Sequence, residues 1–401
     1  MERKNDSRSY LSHMTVKYIN SFASKEEHSQ VNASFLLMLS LIYKSVDYYG
    51  SKDAMLVMEK VLGSRMPDNV IQHGLFVYRG HSRIALLLRY LISAIQNILL
   101  LIGNRNEIIF YNFDNVFSIR IINWLNRFLH RKVVVLCHGE LELLRQDIKK
   151  EGPLQRMIMF LVRNFYNKNV KFADMIYFIV LGESIKSNLS KFLTKEQLAH
   201  FYTIDHPYIV QSNCYTTPSY SSSNKIKVGC VGSMNELKGT KRLIELANEV
   251  ELRKIDVEIS VIGKVFSDRE ELLSHNVILK SKDNRSLPYD EFQRHVSELD
   301  AILFLYDMSS YKLTASGAIY DSIIFSKPII TLRNDYFDYI ISKYGIPALI
   351  ATDVGNMAMK IESIRNFDEN LLIAKYKSML KNISPSVQAK HLYSILNKIG
   401  L

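Results

Sequence analysis

Short apolar runs alternate with longer segments of helical spacing through the first half of the chain. The runs predict strands at residues 15–22, 107–112, 132–137 and 175–182, and the helical segments are residues 29–46, 116–129 and 183–193. Strands that are apolar on both faces and separated by helices are typical of a parallel sheet built from βαβ units. The first half therefore predicts a doubly wound α/β domain.

The same alternation restarts after a polar stretch, QSNCYTTPSYSSSNK, that is almost free of aliphatic residues. Strands are predicted at residues 225–232, 256–263, 276–280 and 300–306, with a further strand after Lys327, and helices at residues 239–250, 289–299 and 318–325. The second half is therefore also predicted to be a doubly wound domain.

The polar stretch is the one shift of composition along the chain, and we interpret it as a linker. The predicted organisation is a first domain at residues 1–210, a linker at 211–225 and a second domain at 226–385. A last helix at 386–401 is expected to cross back to the first domain. Two Rossmann-like domains joined in this way form an interdomain cleft at the carboxyl ends of their strands, where ligands bind in this architecture.

The composition is that of a globular chain, with 47% hydrophobic and 23% charged residues. Cys137, Cys214 and Cys230 show no paired spacing, which fits a reducing compartment and argues against a disulfide framework or a thiolate metal site. The first ten residues lack the apolar core of a signal peptide. A cytoplasmic location is therefore expected.

Residues 84–103 are the stretch most similar to a membrane span. Arg89, Ser93, Gln96 and Asn97 recur at helical spacing in it and fall on one side. An arginine in the middle of a span costs roughly 2.5–3.5 kcal/mol on insertion scales. The pattern favours a mostly buried amphipathic helix over a transmembrane helix.

The formal net charge is +11, and the stretch from Arg120 to Lys171 holds eleven Lys and Arg against four Asp and Glu. Within it, GPLQRMIMFLVRNFYNKNVKF mixes basic residues with Met, Phe, Leu and Ile. Such a segment suits an anionic membrane surface, and equally a core helix with a solvated basic face. No nucleic-acid-binding motif accompanies the charge, so nucleic acid is not an expected partner.

Two strand-to-helix junctions of the second half carry groups that suit a phosphate. In VGCVGSMNELKG a buried strand ends at Gly232, and Lys238 offers a positive charge beside a helix start. In YKLTASGAIYDSIIFSKPII the pair Ser316 and Gly317 opens a short helix, whose free N–H groups and dipole attract anions. Asp321, one turn further, is placed to accept hydrogen bonds from ribose hydroxyls. Each junction on its own fits an alternative equally well. The first is then an ordinary βα loop, and Ser316 in the second is simply an N-cap.

The order of VGSMNELKG, VIGK, LPYDEF, DAILFLY and YKLTASGAIYDSIIFSKPII resembles the nucleotide-sugar domain of GT-B glycosyltransferases, over most of residues 226–332. The resemblance implies two facing Rossmann-like domains and a nucleotide-sugar donor. It also implies donor contacts from Lys238, Ser316, Gly317 and Asp321. Gly232, Ser233 and Gly263 are further candidate substrate contacts. Many retaining members of the family have a second acid eight residues before the one matching Asp321, where this chain has Leu313. Ser233 stands where an arginine is common.

The first half offers candidate catalytic groups where a predicted strand ends. VVVLCHGELELL delivers His138 and Glu140 to the expected cleft. A histidine near its ordinary pKa exchanges protons at neutral pH, and a carboxylate beside it would accept the proton of an acceptor hydroxyl. The alternative is that both residues cap the next helix. His28 and Glu27, which follow the first strand, are candidate acceptor contacts.

The chain has no Asp-x-Asp, His-Glu-x-x-His or Cys-x-x-Cys motif. We therefore expect no metal and no cofactor. The leading hypothesis is a glycosyltransferase of surface polysaccharide synthesis that uses a nucleotide-sugar donor and a glycan or lipid-linked acceptor. It would be cytoplasmic, peripheral to the membrane, and would close its domains over the donor. The alternatives are a nucleotide-sugar 2-epimerase, and a non-catalytic adaptor whose basic face binds membrane or nucleic acid.

Overall fold

A computed structural model describes residues 12–24, 28–80, 82–104, 107–210, 225–306 and 308–401. The chain divides into two compact units. The first unit is residues 1–209 together with 382–401, and the second unit is residues 210–381. Residues 211–224 of the predicted linker, and Glu27, lie outside the described residues.

The first unit is built on a seven-stranded parallel sheet with strand order β3-β2-β1-β4-β5-β6-β7. Its strands are β1 (Ser12–Asn20), β2 (Tyr43–Gly50), β3 (Val70–Gly74), β4 (Ile108–Tyr111), β5 (Val133–Leu136), β6 (Ile176–Val180) and β7 (Phe201–Thr203). Its helices up to the linker are α1 (Ser29–Ile42), α2 (Lys52–Leu62), α3 (Arg83–Ile102), α4 (Ile119–Leu129), α5 (Pro153–Phe165), α6 (Glu183–Leu189) and α7 (Lys195–Leu198). The central strands β4 and β5 are buried along their whole length, as their continuous apolar sequences predict.

The second unit is built on a six-stranded parallel sheet with strand order β10-β9-β8-β11-β12-β13. Its strands are β8 (Ile226–Val231), β9 (Val257–Ile262), β10 (Ile278–Leu279), β11 (Ala301–Phe304), β12 (Ile329–Leu332) and β13 (Ala348–Ala351). Its helices are α8 (Thr240–Leu252), α9 (Arg269–Ser274), α10 (Tyr289–Ser297), α11 (Ala318–Ile324), α12 (Asp335–Tyr344), α13 (Val354–Ile361) and α14 (Glu369–Asn382). Both sheets carry helices, so the chain has the α/β class that the sequence predicts.

The last helix, α15 (Pro385–Lys398), belongs to the first unit and packs against α1. The backbone N–H of Asp205 donates to Oε1 of Gln388 at 3.1 Å. The backbone N–H of Tyr208 donates to the carbonyl of Ile383 at 3.1 Å. These bonds fix the returning chain beside the segment that follows β7.

The predicted helix at residues 29–46 is wrong over its last four residues. The helix ends at Ile42, and Tyr43 already has extended backbone angles, φ −105° and ψ 149°. It begins β2, which pairs parallel to β1 and buries Val46 and Tyr48. An apolar run that crosses from helix to strand without a polar break hides the boundary, because both elements bury the same residue types.

The prediction of a mostly buried helix at residues 84–103 is also wrong. α3 spans Arg83–Ile102, but only 39% of its most apolar window is buried. It is the one helix of the described residues that is long and apolar enough to cross a membrane, judged by length and composition alone. Its polar residues Arg89, Ser93 and Asn97 are buried, together with Ala85, Tyr90, Ala94 and Leu101.

Candidate functional site

The loops that follow β8 and β9 in the second unit stay paired beyond the ends of the strands. The N–H of Gly232 donates to the carbonyl of Ile262 at 2.9 Å, and the N–H of Met234 donates to the carbonyl of Lys264 at 2.7 Å. Gly263 has a φ of 153°, and a Cβ there would overlap the carbonyl oxygen of Gly232. Glycine is therefore required at Gly263 for the two backbones to meet.

Lys238 lies where the loop after β8 reaches the end of β11. Its N–H donates to Oδ1 of Asn235 at 3.0 Å, which closes a single 3-10 turn. The next residue, Gly239, has a φ of 87° and packs so tightly that a Cβ would overlap the carbonyl oxygen of Leu305. As a result the ammonium of Lys238 lies 5.9 Å from the centroid of the Tyr306 ring.

Asp321, in the first turn of α11, interacts electrostatically with Lys238. Burial raises the pKa of the Asp321 carboxyl to about 7, and the Lys238 ammonium opposes that rise. Burial also lowers the pKa of Lys238, and the Asp321 carboxylate opposes that fall. Each group thus favours the charged form of the other, because a charge buried without a partner is unfavourable. A diphosphate beside Lys238 would supply a second counter-charge.

Ser316 and Gly317 precede α11 and differ in exposure. Ser316 is buried, and its Oγ donates to the hydroxyl of Tyr306 at 3.3 Å. Gly317 is exposed with an ordinary φ of −66°, and a Cβ there would meet no atom within 4 Å. The fold itself does not require glycine at this position. Leu313, eight residues before Asp321, is fully buried and belongs to the core.

Tyr306 joins the two junctions, although sequence analysis did not single it out. Its ring lies beside Lys238, and its hydroxyl accepts from Ser316. Since Lys238 also interacts with Asp321, the loops after β8 and β11 converge at the carboxyl edge of one sheet. Gly232 and Ser233 lie half-buried in the first of these loops. The only signal for Tyr306 is its place at the end of a buried strand.

A cavity of about 710 Å³ opens beside this region, at the ends of β12 and β13. Arg242 and Glu245 of α8 line it, together with Arg333 after β12 and Asp353 at the start of α13. Sequence analysis assigned no site residue there. Two arginines and two carboxylates give the cavity a balanced charge.

In the first unit, His138 follows β5 at the carboxyl end of the sheet. Its Nε2 lies 2.9 Å from the carbonyl oxygen of Asn112. Because a carbonyl only accepts, Nε2 carries the hydrogen and Nδ1 is the acceptor of the neutral ring. The ring of His28 stacks on it, with 5.0 Å between centroids.

The pKa of His138 is well below its ordinary value, chiefly because the ring is buried and also because His28 and His206 lie near it. The expectation of a histidine near its ordinary pKa is therefore wrong, and the ring is neutral at pH 7. His206 is buried too, and burial lowers its pKa to about 4.

Glu140 folds back on its own turn. Its Oε2 accepts hydrogen bonds from the N–H of His138 at 3.3 Å and of Gly139 at 3.2 Å. Burial, and then the nearby Asp114, raise the pKa of Glu140 to about 8. With a pKa of about 8 the Glu140 carboxyl is mostly protonated at pH 7, which does not fit the expected carboxylate base.

Asp114 is a second buried acid that sequence analysis missed. It is 0% exposed and accepts a hydrogen bond from the hydroxyl of Tyr166. Its Oδ1 has no hydrogen-bond partner among the described residues. Burial raises the pKa of Asp114 to about 7. The only sequence signal is an aspartate shortly after a buried strand.

A cavity of about 190 Å³ opens beside His138 in the same unit. Phe22 and Phe113 line it, with ring centroids 4.3 Å apart, and His28 and His138 line another part. The remaining lining residues are Asn20, Ala23, Asn32 and Asn112. With amide groups, neutral imidazole and aromatic faces, the lining suits an uncharged polar ring.

The described part of the chain contains no group of three or more His, Cys, Asp or Glu side chains placed to hold a metal ion. The candidate residues of the second unit instead present one ammonium, one carboxyl and glycine backbone.

We expect the Asp114→Asn variant to have a free energy of unfolding that depends less on pH. Asp114 has a folded-state pKa of about 7 against an ordinary 3.8, so the folded chain binds the proton more tightly than the unfolded chain. This contribution to stability is present below about pH 4 and is lost as the pH rises to about 7. Urea unfolding at a series of pH values measures it. An unchanged pH slope in the variant would contradict the assignment.

No family model and no curated protein sequence matches the chain. Its fold is similar to that of HepE from Anabaena, solved with UDP and glucose, with a TM-score of 0.62 and 12% identity over 96% of this chain and 100% of that one. Sucrose-phosphate synthase from Thermosynechococcus elongatus has a TM-score of 0.60 and 12% identity over 96% of this chain and 99% of its own. WaaG, a glycosyltransferase involved in lipopolysaccharide biosynthesis, has a TM-score of 0.54 and 11% identity over 95% of this chain and 99% of its own.

These neighbours are GT-B glycosyltransferases, and the likeness extends over nearly the whole of this chain. Two parallel sheets of seven and six strands, each with its helices, agree with it. The chain has the two-domain GT-B fold.

Proposed function

We propose that the protein is a glycosyltransferase that moves a sugar from a nucleotide-diphosphate-sugar to a glycan or lipid-linked glycan. The observation that carries the proposal is the meeting of Lys238, Asp321 and the glycine loops at one sheet edge of the second unit. The solved neighbour HepE contains UDP-glucose, which favours a UDP-sugar as the donor. Neighbours that serve lipopolysaccharide synthesis favour a role in surface polysaccharide biosynthesis.

The donor chemistry follows from the charges of the second unit. The Lys238 ammonium would contact the diphosphate and stabilise the negative charge that develops on it as the glycosidic bond breaks. Asp321, when ionised, would accept hydrogen bonds from the ribose hydroxyls. Gly317 and the loop at Gly232 and Ser233 would let the diphosphate approach the backbone. Because Lys238 supplies the positive charge, we propose that transfer requires no metal.

The acceptor chemistry is assigned to the first unit. Nδ1 of the neutral His138 would accept a hydrogen bond from a sugar hydroxyl, and the protonated Glu140 would donate one. The cavity lined by Phe22 and Phe113 would take the acceptor sugar, because the C–H groups on one face of a pyranose pack well on aromatic rings. His28 borders the same cavity. We propose a cytoplasmic protein that works at the inner face of a membrane.

Acceptor-dependent release of UDP tests the function. The full chain is incubated with UDP-glucose or other nucleotide-sugars, with and without oligosaccharide or lipid-linked acceptors, and UDP is quantified by chromatography. We expect release only in the presence of an acceptor. Conversion of the sugar nucleotide without acceptor would instead indicate a 2-epimerase, and failure of calorimetry to detect any nucleotide-sugar binding would overturn the enzymatic proposal.

We expect Lys238→Met to weaken UDP binding by about 10- to 100-fold, since a hydrogen bond to a charged group contributes about 1.5–3 kcal/mol. The methionine keeps much of the length and packing of the side chain beside Tyr306. Isothermal titration calorimetry with UDP measures the affinity. The matched control is Lys241→Met, three residues away and exposed, which should bind UDP as the unaltered chain does. Equal affinities for both variants would refute the role of Lys238.

Replacing Gly317 by alanine, and then by valine, should reduce UDP affinity progressively while leaving the melting temperature almost unchanged. The added Cβ occupies empty space at an ordinary φ, so the fold tolerates it, whereas an approaching diphosphate would not. Gly239→Ala is the contrasting variant, because its Cβ would overlap Leu305 and unfolding should occur at lower temperature. Full UDP affinity in Gly317→Val would remove this residue from the site.

A further inference from the structure

α3 is inverted with respect to an ordinary amphipathic helix of a globular domain. Its polar side faces the interior, where the Oγ atoms of Ser93 and Ser21 lie 2.7 Å apart. Ser21 donates to Oδ1 of Asn97 at 2.7 Å, and Asn115 donates to Ser93 at 3.0 Å. Arg89 donates to the carbonyl of Tyr78 at 3.1 Å. Arg89, Ser93 and Asn97 thus have hydrogen-bond partners inside the unit.

The apolar side of α3 faces outward. Its exposed large side chains recur at intervals of seven, four, four and three residues, so they form one stripe along the helix. They are Ile84, Leu91, Ile95, Leu99 and Ile102, with exposed fractions of 72%, 40%, 58%, 61% and 51%. A stripe of this length on one helix differs from the scattered apolar residues that are normal on a protein surface.

α4 also exposes large apolar side chains and buries polar ones, although its Ile119 and Ile122 are buried. Asn123 and Asn126 are buried, and their amides bond the backbone of residues 171–173 and of Arg131. The exposed side carries Ile121, Trp124 and Phe128, with exposed fractions of 44%, 56% and 69%. α3 packs against α4, so both exposed sides belong to one layer of the first unit. These eight apolar side chains are called the α3–α4 face below.

The charged side chains on α3 and α4 themselves are all basic. Neither helix contains an aspartate or glutamate, and Arg83, Arg120 and Arg127 on them are exposed. An apolar surface with aromatic side chains and flanking arginines complements the interface of an anionic bilayer. A second copy of this chain on the same face would bring like charges together, because a twofold contact repeats one patch on both subunits.

We propose that the α3–α4 face inserts into the interfacial region of an anionic membrane and holds the first unit on it. This deepens the peripheral location given in the proposed function. The polar side of α3 is engaged inside the unit, so the helix lies along the membrane surface with its apolar stripe in the lipid. Arg120 and Arg127 then meet the lipid phosphates.

Trp124 is the only tryptophan of the chain and lies on the proposed face, so its fluorescence reports membrane contact directly. The full chain is mixed with phosphatidylcholine vesicles with and without phosphatidylglycerol. We expect a blue shift and quenching by brominated acyl chains with the anionic vesicles, both weakened by salt. No shift with anionic vesicles would overturn the proposal, as would a blue shift without vesicles that grows with protein concentration and indicates self-association.

Variants on and away from the α3–α4 face test whether this face, rather than another exposed apolar residue, binds the membrane. Ile95→Gln combined with Leu99→Gln should lower cosedimentation with anionic vesicles at least about tenfold, because each apolar side chain then loses its transfer into lipid. Leu252→Gln is the matched control, since Leu252 is 77% exposed on α8 of the second unit and should leave cosedimentation unchanged. Equal loss in both variants would overturn the assignment of the face.

Calorimetry with UDP on the Ile95 and Leu99 double variant keeps the two proposals separate. Normal UDP binding with lost cosedimentation supports the membrane face whatever the transferase activity. Full cosedimentation of that variant refutes the membrane face and leaves the donor site untouched.

Discussion

The position of Lys238 in the second unit depends on one backbone contact, that of Gly239 with the carbonyl of Leu305. No residue with a Cβ fits at Gly239 without moving this loop away from the segment at Leu305. The positive φ of Gly239 disfavours other residues as well. The contact brings the loop after β8 onto the end of β11. Lys238 is thereby held beside Tyr306 and within the field of Asp321. Backbone packing, rather than attraction between exposed side chains, therefore sets the position of Lys238.

Burial decides the protonation states of the candidate residues more than their identities do. The sequence suggests a histidine that exchanges protons at neutral pH and a carboxylate base. In the folded unit the His138 imidazole instead stays neutral and the Glu140 carboxyl is mostly protonated at pH 7. His138 is buried and Glu140 half-buried at the end of β5, where the charged form of either group is less well solvated than in water. The same effect raises the pKa of Asp114 and of Asp321 to about 7. Polar groups of this kind respond strongly when a ligand changes their surroundings.

Sequence patterns predicted the parallel sheets and the two junctions at Lys238 and Asp321, because long apolar strands and glycine at strand ends are local signals. They missed β2, since an apolar run carries no mark where helix becomes strand. They missed Asp114 and Tyr306 because only long-range packing shows what each side chain touches. They also overestimated the burial of α3, because periodicity separates the polar side from the apolar side without saying which one faces inward.

The return of α15 to α1 has a consequence for synthesis of the chain. The first unit consists of two segments, 1–209 and 382–401, with the second unit between them. Until the last segment leaves the ribosome, α1 has no α15 to pack on, and Asp205 has no Gln388. The second unit, a continuous segment, is complete earlier. The half of the protein that is translated first therefore finishes folding last.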